Sequence, residues 1–283
     1  MHLRELYQYG KENMSLHSIE NPGLETSLLL TRTGAINSIS EIYTSPEKEV
    51  ERYKVVNFHG LLDRRIRREP MAYLIGEKEF YSRPFSVNRS VLIPRPETEL
   101  LVEQAVRAAD GTRDPVILDI GTGSGCISVT IACEVKDSGV YATDVSREAL
   151  SLAHRNAIRH GARDRIHFIN CNLSDPLKEE SFDVIVSNPP YIPESEFPFL
   201  ERDVKDHEPG ISLIGGEDGL LYIRKIISTA GSLLKDGGWC LLEVGAGQAS
   251  RAKELFEEHG FHETSSVKDL ANIERVIKAR WKK

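Results

Sequence analysis

"LDIGTGSG", residues 118–125, closes the apolar run "VILDI" (116–120) and opens onto "CISVTIACEV" (126–135). A short apolar run, three glycines in GxGxG spacing and a longer mixed segment read as strand, tight turn and helix. Glycine tolerates positive φ and lets a ligand approach the backbone, so Gly121, Thr122, Gly123, Ser124 and Gly125 form a candidate binding loop. Nineteen residues past Gly125, Asp144 ends a second β-rich run, "VYATD" (140–144). A carboxylate at that place accepts two hydrogen bonds from ribose hydroxyls. A plain glycine turn with an exposed Asp cap would carry the same letters. The strand and helix flanking the loop favour a ligand site.

Working outward, the α/β pattern holds from residue 96 to the end. "PETELLVEQAVRAA" reads as a helix with Pro96 near its start. "SREALSLAHRNAIRHG" reads as a helix with Ser146 as N-cap and Gly161 as its stop. "IHFIN" (166–170), "FDVIVS" (182–187) and "GWCLLEV" (238–244) read as strands, with helices over 219–234 and 248–259 and two closing strands near 261–267 and 273–279. Strand–helix alternation predicts a doubly wound, mostly parallel sheet. Residues 1–75 show helical spacing alone and predict a separate small helical domain, with Ser45-Pro46 as a helix start. Residues 76–95, "GEKEFYSRPFSVNRSVLIPR", predict a β-hairpin linker turning at "NRS", ahead of a catalytic-type domain over 96–283.

Composition narrows the function classes. The chain has 283 residues and 40% hydrophobic residues, enough for a large core. Its net charge of -7 demotes proteins that grip nucleic acid through phosphates. Cys126, Cys133, Cys171 and Cys240 form no CxxC pair and have no His at ligand spacing, so no metal site is expected. The same pattern fits a reducing cytoplasm. No secretory h-region opens the chain and no apolar run approaches ~20 residues, so no membrane partner is expected.

A second motif, "SNPPYIP" (187–193), follows the strand "FDVIVS". Two prolines cannot continue a central strand, and ligands in open α/β sheets sit beyond the carboxyl ends of the strands. Asn188, Pro189, Pro190 and Tyr191 therefore belong beside the glycine loop. The loop alone suits NAD and S-adenosylmethionine equally. The second motif separates them, because its groups suit methyl transfer to a planar amide-like or aromatic-amine nitrogen. Such a nitrogen has a delocalised lone pair, so its N–H bonds must be held. Asn188 Oδ1 can accept one, the carbonyl of Pro189 the other, and Tyr191 can offer a flat wall. Both acceptors bind more strongly as the nitrogen becomes cationic.

Taken together, "NPGLETSLLL", "RRIRREPMAYLIGEKEF", "VLIPRPETELLVE", "ILDIGTGSGCIS", "ATDVSREAL", "SNPPYIP", "HEPGISLIGGEDGLLYIRKII" and "LLEVGAGQA" resemble the HemK/PrmC family of release factor glutamine N5-methyltransferases along essentially the whole chain. The resemblance implies a class I methyltransferase fold, Rossmann-like with a seven-stranded sheet, preceded by a helical substrate-recognition domain. It implies S-adenosylmethionine as cofactor and the glutamine of the GGQ motif of class I peptide chain release factors as acceptor. It places residues 121–125, Asp144 and Asn188 on the cofactor and residues 188–191 on the carboxamide. Family members often carry an acid near the adenine. Here Asn172 and Leu173 stand in that place, as an acceptor for the amino group and an apolar face. NPPY is shared with nucleic-acid amino methyltransferases, the alternative class. An adaptor without activity is disfavoured by the intact loop, Asp144 and Asn188. The basic run "DRRIRREP" (63–70) reads as a solvated helix face ahead of a surface gripping a release factor, "LIGGEDGL" as structural support for the site, and Glu243 as a solvated strand end ahead of a catalytic group. Pro94, Arg95, Pro96 and Thr98 read equally as a helix start or a closing loop.

Overall fold

In the computed structural model, which describes residues 1–175 and 177–283, the chain forms two units. The first comprises residues 1–77 and the short excursion 201–207. Its helices are α1 (Leu3–Leu16), α2 (Pro22–Arg32), α3 (Glu41–Thr44), α4 (Arg52–Ile66) and α5 (Met71–Ile75). Leu3, Leu6, Gly10 and Met14 fall on one face of α1, and Leu29, Leu30, Phe58 and Leu62 complete the core. Gly10 is obligatory there, since an added Cβ would stand 2.7 Å from Phe58 Cζ and from Thr26 Cγ2. Ser45 ends α3 and does not start α4. Pro46 and Glu47 form a turn and Glu49 is bridged to His2, so α4 begins later than Ser45-Pro46 suggested.

The basic run on α4 is not a solvated face throughout. Arg65 is 6% exposed and donates to Glu25 at 2.6 Å, Asp203 at 2.6 Å and the Glu69 carbonyl at 3.1 Å. A guanidinium with this many acceptors is satisfied when buried. The alternation of charge along 63–70 conceals this, because the partners lie far off in sequence.

The second unit comprises residues 78–200 and 208–283. The chain enters it through a hairpin of β1 (Glu77–Phe80) and β2 (Arg83–Ser86). The turn is Tyr81-Ser82, with φ of 52° and 55°, and not "NRS". Two consecutive left-handed residues make a tight hairpin turn usually marked by Asn or Gly, and neither is present to signal it. Phe80 and Phe85 of the hairpin enter the core of this unit. Then follow α6 (Thr98–Ala109), β3 (Val116–Ile120), α7 (Cys126–Glu134), β4 (Gly139–Asp144), α8 (Arg147–Arg159), β5 (Ile166–Asn170) and β6 (Phe182–Ser187). After the excursion with its one-turn α9 (Arg202–Lys205) come α10 (Leu221–Leu233), β7 (Leu234–Glu243), α11 (Ala249–Glu258), β8 (Phe261–Lys268) and β9 (Glu274–Trp281).

The seven-stranded sheet has the order β5-β4-β3-β6-β7-β9-β8, parallel except for β9. Alternate residues feed its two faces. Val184, Val186 and Leu241 pack with Leu101, Val102 and Val129, while Ile185, Cys240 and Leu242 pack with Ile223, Ile226 and Phe256. Strands buried on both faces explain the unbroken apolar runs of the sequence. Ser146 caps α8, its hydroxyl accepting from Ala149 N at 3.1 Å.

Candidate functional site

The register of the sheet brings separate motifs to one edge. Ile120 pairs with Thr143 on one side and Ser187 on the other, so Gly121, Asp144 and Asn188 leave the sheet at one level. Asp144 stands opposite Asn170, which puts Asn172 and Leu173 just beyond the same edge. The chain order reverses between β3 and β6, the switch point where open α/β sheets leave a crevice. The cavity there is lined by Gly121, Thr122, Gly123, Ser124, Asp144, Asn172, Leu173, Asn188, Pro189 and Pro190, together with Pro94, Arg95 and Thr98 from the segment before α6.

The glycine loop holds φ at 76°, 55° and 79° for Gly121, Gly123 and Gly125. Their tasks differ. A Cβ on Gly121 or Gly123 would meet nothing within 4 Å, so these two leave open space beside the cavity. A Cβ on Gly125 would stand 2.9 Å from Ala153 Cβ, so Gly125 lets α8 pack closely and does not line the cavity. Behind the loop, buried Asp119 accepts from Thr122 Oγ1 at 2.6 Å and Ser128 N at 3.1 Å. Burial pushes its carboxyl up to about 6.

Asp144 is oriented by backbone alone. Gly123 N donates to Oδ2 and Ser146 N to Oδ1, both at 2.9 Å. Partial burial raises its pKa, and these two bonds oppose the rise. Each carboxylate oxygen keeps a further lone pair for a hydroxyl donor. The cavity thus offers glycine backbone free of Cβ atoms, a fixed carboxylate able to accept from hydroxyl donors, and apolar walls. These residues fit S-adenosylmethionine, which brings a ribose and an adenine and carries no phosphate.

At the other wall, Asn188 Nδ2 donates to Thr98 Oγ1 at 3.0 Å. Pro189 is buried, and Ser187 Oγ donates to the Ile120 carbonyl at 2.7 Å, which ties this strand end to the glycine loop. Tyr191 does not line the cavity. Its ring turns toward Gly245, where a built Cβ would stand 3.2 Å from Cδ2, and burial beside Glu243 pushes its hydroxyl up to about 12. The flat wall expected of Tyr191 is therefore absent from the cavity lining. The Tyr191 carbonyl accepts from Gln248 Nε2 at 2.9 Å, while Gln248 Oε1 accepts from Gly245 N at 2.9 Å.

Other segments support the motif, some of them marked in the sequence and others, such as Glu208, not. Gly215 and Gly219 of "IGGEDGL" approach the motif so closely that a Cβ would stand 2.7 Å from the Pro190 carbonyl and 2.3 Å from the Tyr191 carbonyl, respectively. Arg95 donates to buried Glu208 Oε1 at 2.6 Å, and Glu208 Oε2 accepts from Ile93 N at 3.0 Å, so the segment before α6 is pinned from "HEPG". Glu243 is not a solvated strand end. It is 2% exposed, and desolvation pushes it up to about 7. Among the described residues, no group of three or more His, Cys, Asp or Glu is placed to hold a metal ion. Nor is any helix among them long and apolar enough to cross a membrane.

The family described as PrmC N-terminal domain matches residues 5–76, and the Methyltransferase small domain matches residues 96–199. The fold resembles a methyltransferase from Pyrococcus furiosus, with a TM-score of 0.55 at 20% identity over 73% of this chain and 92% of that one. A bifunctional methyltransferase from Rickettsia bellii is 37% identical over 97% of this chain, which spans only 54% of that relative's length. The release factor glutamine methyltransferase of Geobacter sulfurreducens is 37% identical over 278 residues, covering 98% of this chain and 96% of the relative. Similarity that runs nearly end to end in both chains, through the helical unit as well as the sheet, makes this chain a member of the release factor glutamine methyltransferase family.

Proposed function

We propose that this protein transfers a methyl group from S-adenosylmethionine to the side-chain amide nitrogen of the glutamine in the GGQ motif of class I peptide chain release factors. The observation that carries the reading is the 37% identity to a protein named for that activity, over 98% of this chain. When bound, S-adenosylmethionine supplies the methyl as an electrophile on a sulfonium. Gly121, Gly123 and Asp144 hold its ribose end, with Asn172 and Leu173 toward the adenine. Asn188 Oδ1 and the Pro189 carbonyl accept the two N–H bonds of the glutamine amide. A proline on each side of that peptide limits its movement, which is preorganisation. As the nitrogen gains positive charge, both acceptors bind it more tightly than in the ground state. The methylated cation is acidic enough to lose its proton to water. Tyr191 supports the loop from behind through Gln248.

A carboxamide is common to every Gln and Asn side chain, so Asn188 and Pro189 cannot select one glutamine. The helical unit is proposed as the surface that reads the protein partner. The net charge of -7 supports a protein over a nucleic acid in that role, and four cysteines outside any disulfide support a cytoplasmic setting. Labelled S-adenosylmethionine tests the whole reading. It is incubated with the full-length protein and, separately, a release factor, the same factor with its GGQ glutamine changed to Glu, a short GGQ peptide, DNA and RNA. Strong labelling of the first, weak labelling of the peptide and none of the rest is expected. Labelling of the Glu variant at the same level, or of DNA or RNA in its place, overturns it.

A further inference from the structure

Two prolines in a row leave the motif 188–191 short of backbone ties. Pro189 and Pro190 have no N–H, so neither can be anchored through its own amide. Their rings fix φ, but the Pro189 carbonyl is placed in space by what holds the chain on either side. On one side the anchor is the sheet. Ser187 pairs with Ile120 and Leu242, and its Oγ donates to the Ile120 carbonyl at 2.7 Å. On the other side the Tyr191 carbonyl accepts from Gln248 Nε2 at 2.9 Å. One residue farther on, Ile192 N donates to the Leu213 carbonyl at 2.9 Å and the Ile192 carbonyl accepts from Gly215 N at 2.8 Å. Gln248 sits just before α11, in the turn that leaves β7. Its own N donates to the Gly245 carbonyl at 3.2 Å, while its Oε1 accepts from Gly245 N at 2.9 Å, so side chain and turn hold each other. Two glycines make room for the amide. A Cβ on Gly219 would stand 2.5 Å from Nε2, and one on Gly245 would stand 3.0 Å from Oε1. Gln248 itself does not line the cavity.

We propose that Gln248 is a positioning residue for methyl transfer, whose amide clasps the Tyr191 carbonyl and so fixes the Pro189 carbonyl that receives a substrate N–H; this rests on the reading of Asn188 and Pro189 as acceptors of the glutamine amide. A backbone N–H can only donate and a backbone carbonyl can only accept. Gln248 stands between one of each. Its amide therefore has a single orientation that satisfies both, Oε1 to Gly245 and Nε2 to Tyr191. A glutamate of the same shape cannot do this. Its ionised carboxylate only accepts, and it would face the Tyr191 carbonyl acceptor against acceptor. An alanine loses both bonds but leaves room for water at that carbonyl. With φ of Pro190 locked by its ring, few torsions lie between the Tyr191 and Pro189 carbonyls to absorb a shift. Displacement at Tyr191 thus passes back to the acceptor, where a misplacement near 1 Å is enough to cost about a hundredfold in rate.

The test uses the full-length protein, a release factor and saturating S-adenosylmethionine in single-turnover assays. The variants are Gln248→Glu, Gln248→Ala and Gly219→Ala, the pair Gln248→Glu with Gly219→Ala, and Asn188→Ala as reference. Gln248→Glu should lower the methyl-transfer rate by about tenfold or more, and by more than Gln248→Ala does. KM for the release factor and affinity for S-adenosylhomocysteine should stay at wild-type values, which also reports that the cavity is folded. Gly219→Ala pushes a Cβ into the same clasp, so the pair should cost less than the product of the two single losses. A wild-type rate in Gln248→Glu, a loss that appears in KM or in cofactor affinity, or losses that multiply overturn the clasp, and with Asn188→Ala slow they leave the reading of Asn188 and Pro189 standing. A wild-type rate in Asn188→Ala overturns that reading and the clasp with it.

Discussion

Glu243→Gln should make the folded sheet more stable above neutral pH. Burial raises the Glu243 carboxyl from its ordinary 4.5 to about 7. A tenfold change in a proton-binding constant is worth about 1.4 kcal/mol, so the ionised side chain destabilises the native state by about 3 kcal/mol relative to the protonated one. The sign follows from proton counting. Between pH 4.5 and about 7 the native state keeps a proton that the unfolded chain has released, so stability is fully present below pH 4.5 and is lost as pH rises through about 7. A glutamine is neutral throughout, so the variant should match wild type near pH 4 and exceed it by about 3 kcal/mol near pH 8. Asp119 contributes a loss of the same sign between 3.8 and about 6, but it is common to both proteins and cancels in the difference. Urea denaturation followed by tryptophan fluorescence is the assay. Both tryptophans, Trp239 and Trp281, lie on strands of the sheet, so the signal reports this unit alone. A stability difference that is independent of pH, or a variant that is weaker at pH 8, would refute the burial argument.

Three further outcomes are expected. On the proposed role of Asp144, Asp144→Ala would remove two charge-assisted bonds to a ribose, each worth roughly 1.5–3 kcal/mol, so calorimetric affinity for S-adenosylhomocysteine should fall by at least about a hundredfold; unchanged affinity removes Asp144 from the site. Asn188→Ala should slow single-turnover methylation of a release factor by about 10²–10³-fold with cofactor affinity retained, by analogy with loss of one oxyanion-hole donor. Gly219→Ala forces a Cβ to 2.3 Å from the Tyr191 carbonyl at a φ of +74°. The left-handed backbone alone costs about 1–2 kcal/mol, so both urea stability and turnover should drop, and a variant with normal turnover would show that the clamp on the Asn188 loop is dispensable.

The parts of this protein that were legible in the sequence are those whose physics is local. The glycine turn, the strand ending at Asp144 and the Pro-Pro stop after Ser187 each carry their own signal, and short unbroken apolar runs marked the strands buried on both faces. The register then adds what no short stretch contains, namely that Ile120, Thr143 and Ser187 sit side by side. What sequence reading missed depends on such long-range closeness. Arg65 looks like one charge in a basic run until Glu25 and Asp203 are placed on it. The hairpin turn at Tyr81-Ser82 lacks Asn or Gly, so the later "NRS" drew the prediction instead. Tyr191 follows Pro190 directly and yet leaves the cavity, because its ring turns to Gly245 and its carbonyl is taken by Gln248. Gly125 sits in the binding loop but serves the packing of α8.

Glu243 shows why a strand end is hard to read. Last residues of strands are usually solvated, and a glutamate there draws no attention. Here β7 is central, β6 and β9 flank it, and Glu243 at its end is 2% exposed. A buried acid with one oxygen unpartnered among the described residues runs against stability, and local sequence rules would place an apolar residue in its position. Such conflicts between local preference and the folded state concentrate where a group is kept for what it does. The stability lost between pH 4.5 and about 7 makes that conflict measurable, and above about 7, where both the native and the unfolded chain carry the ionised carboxylate, urea resistance should change no further on its account.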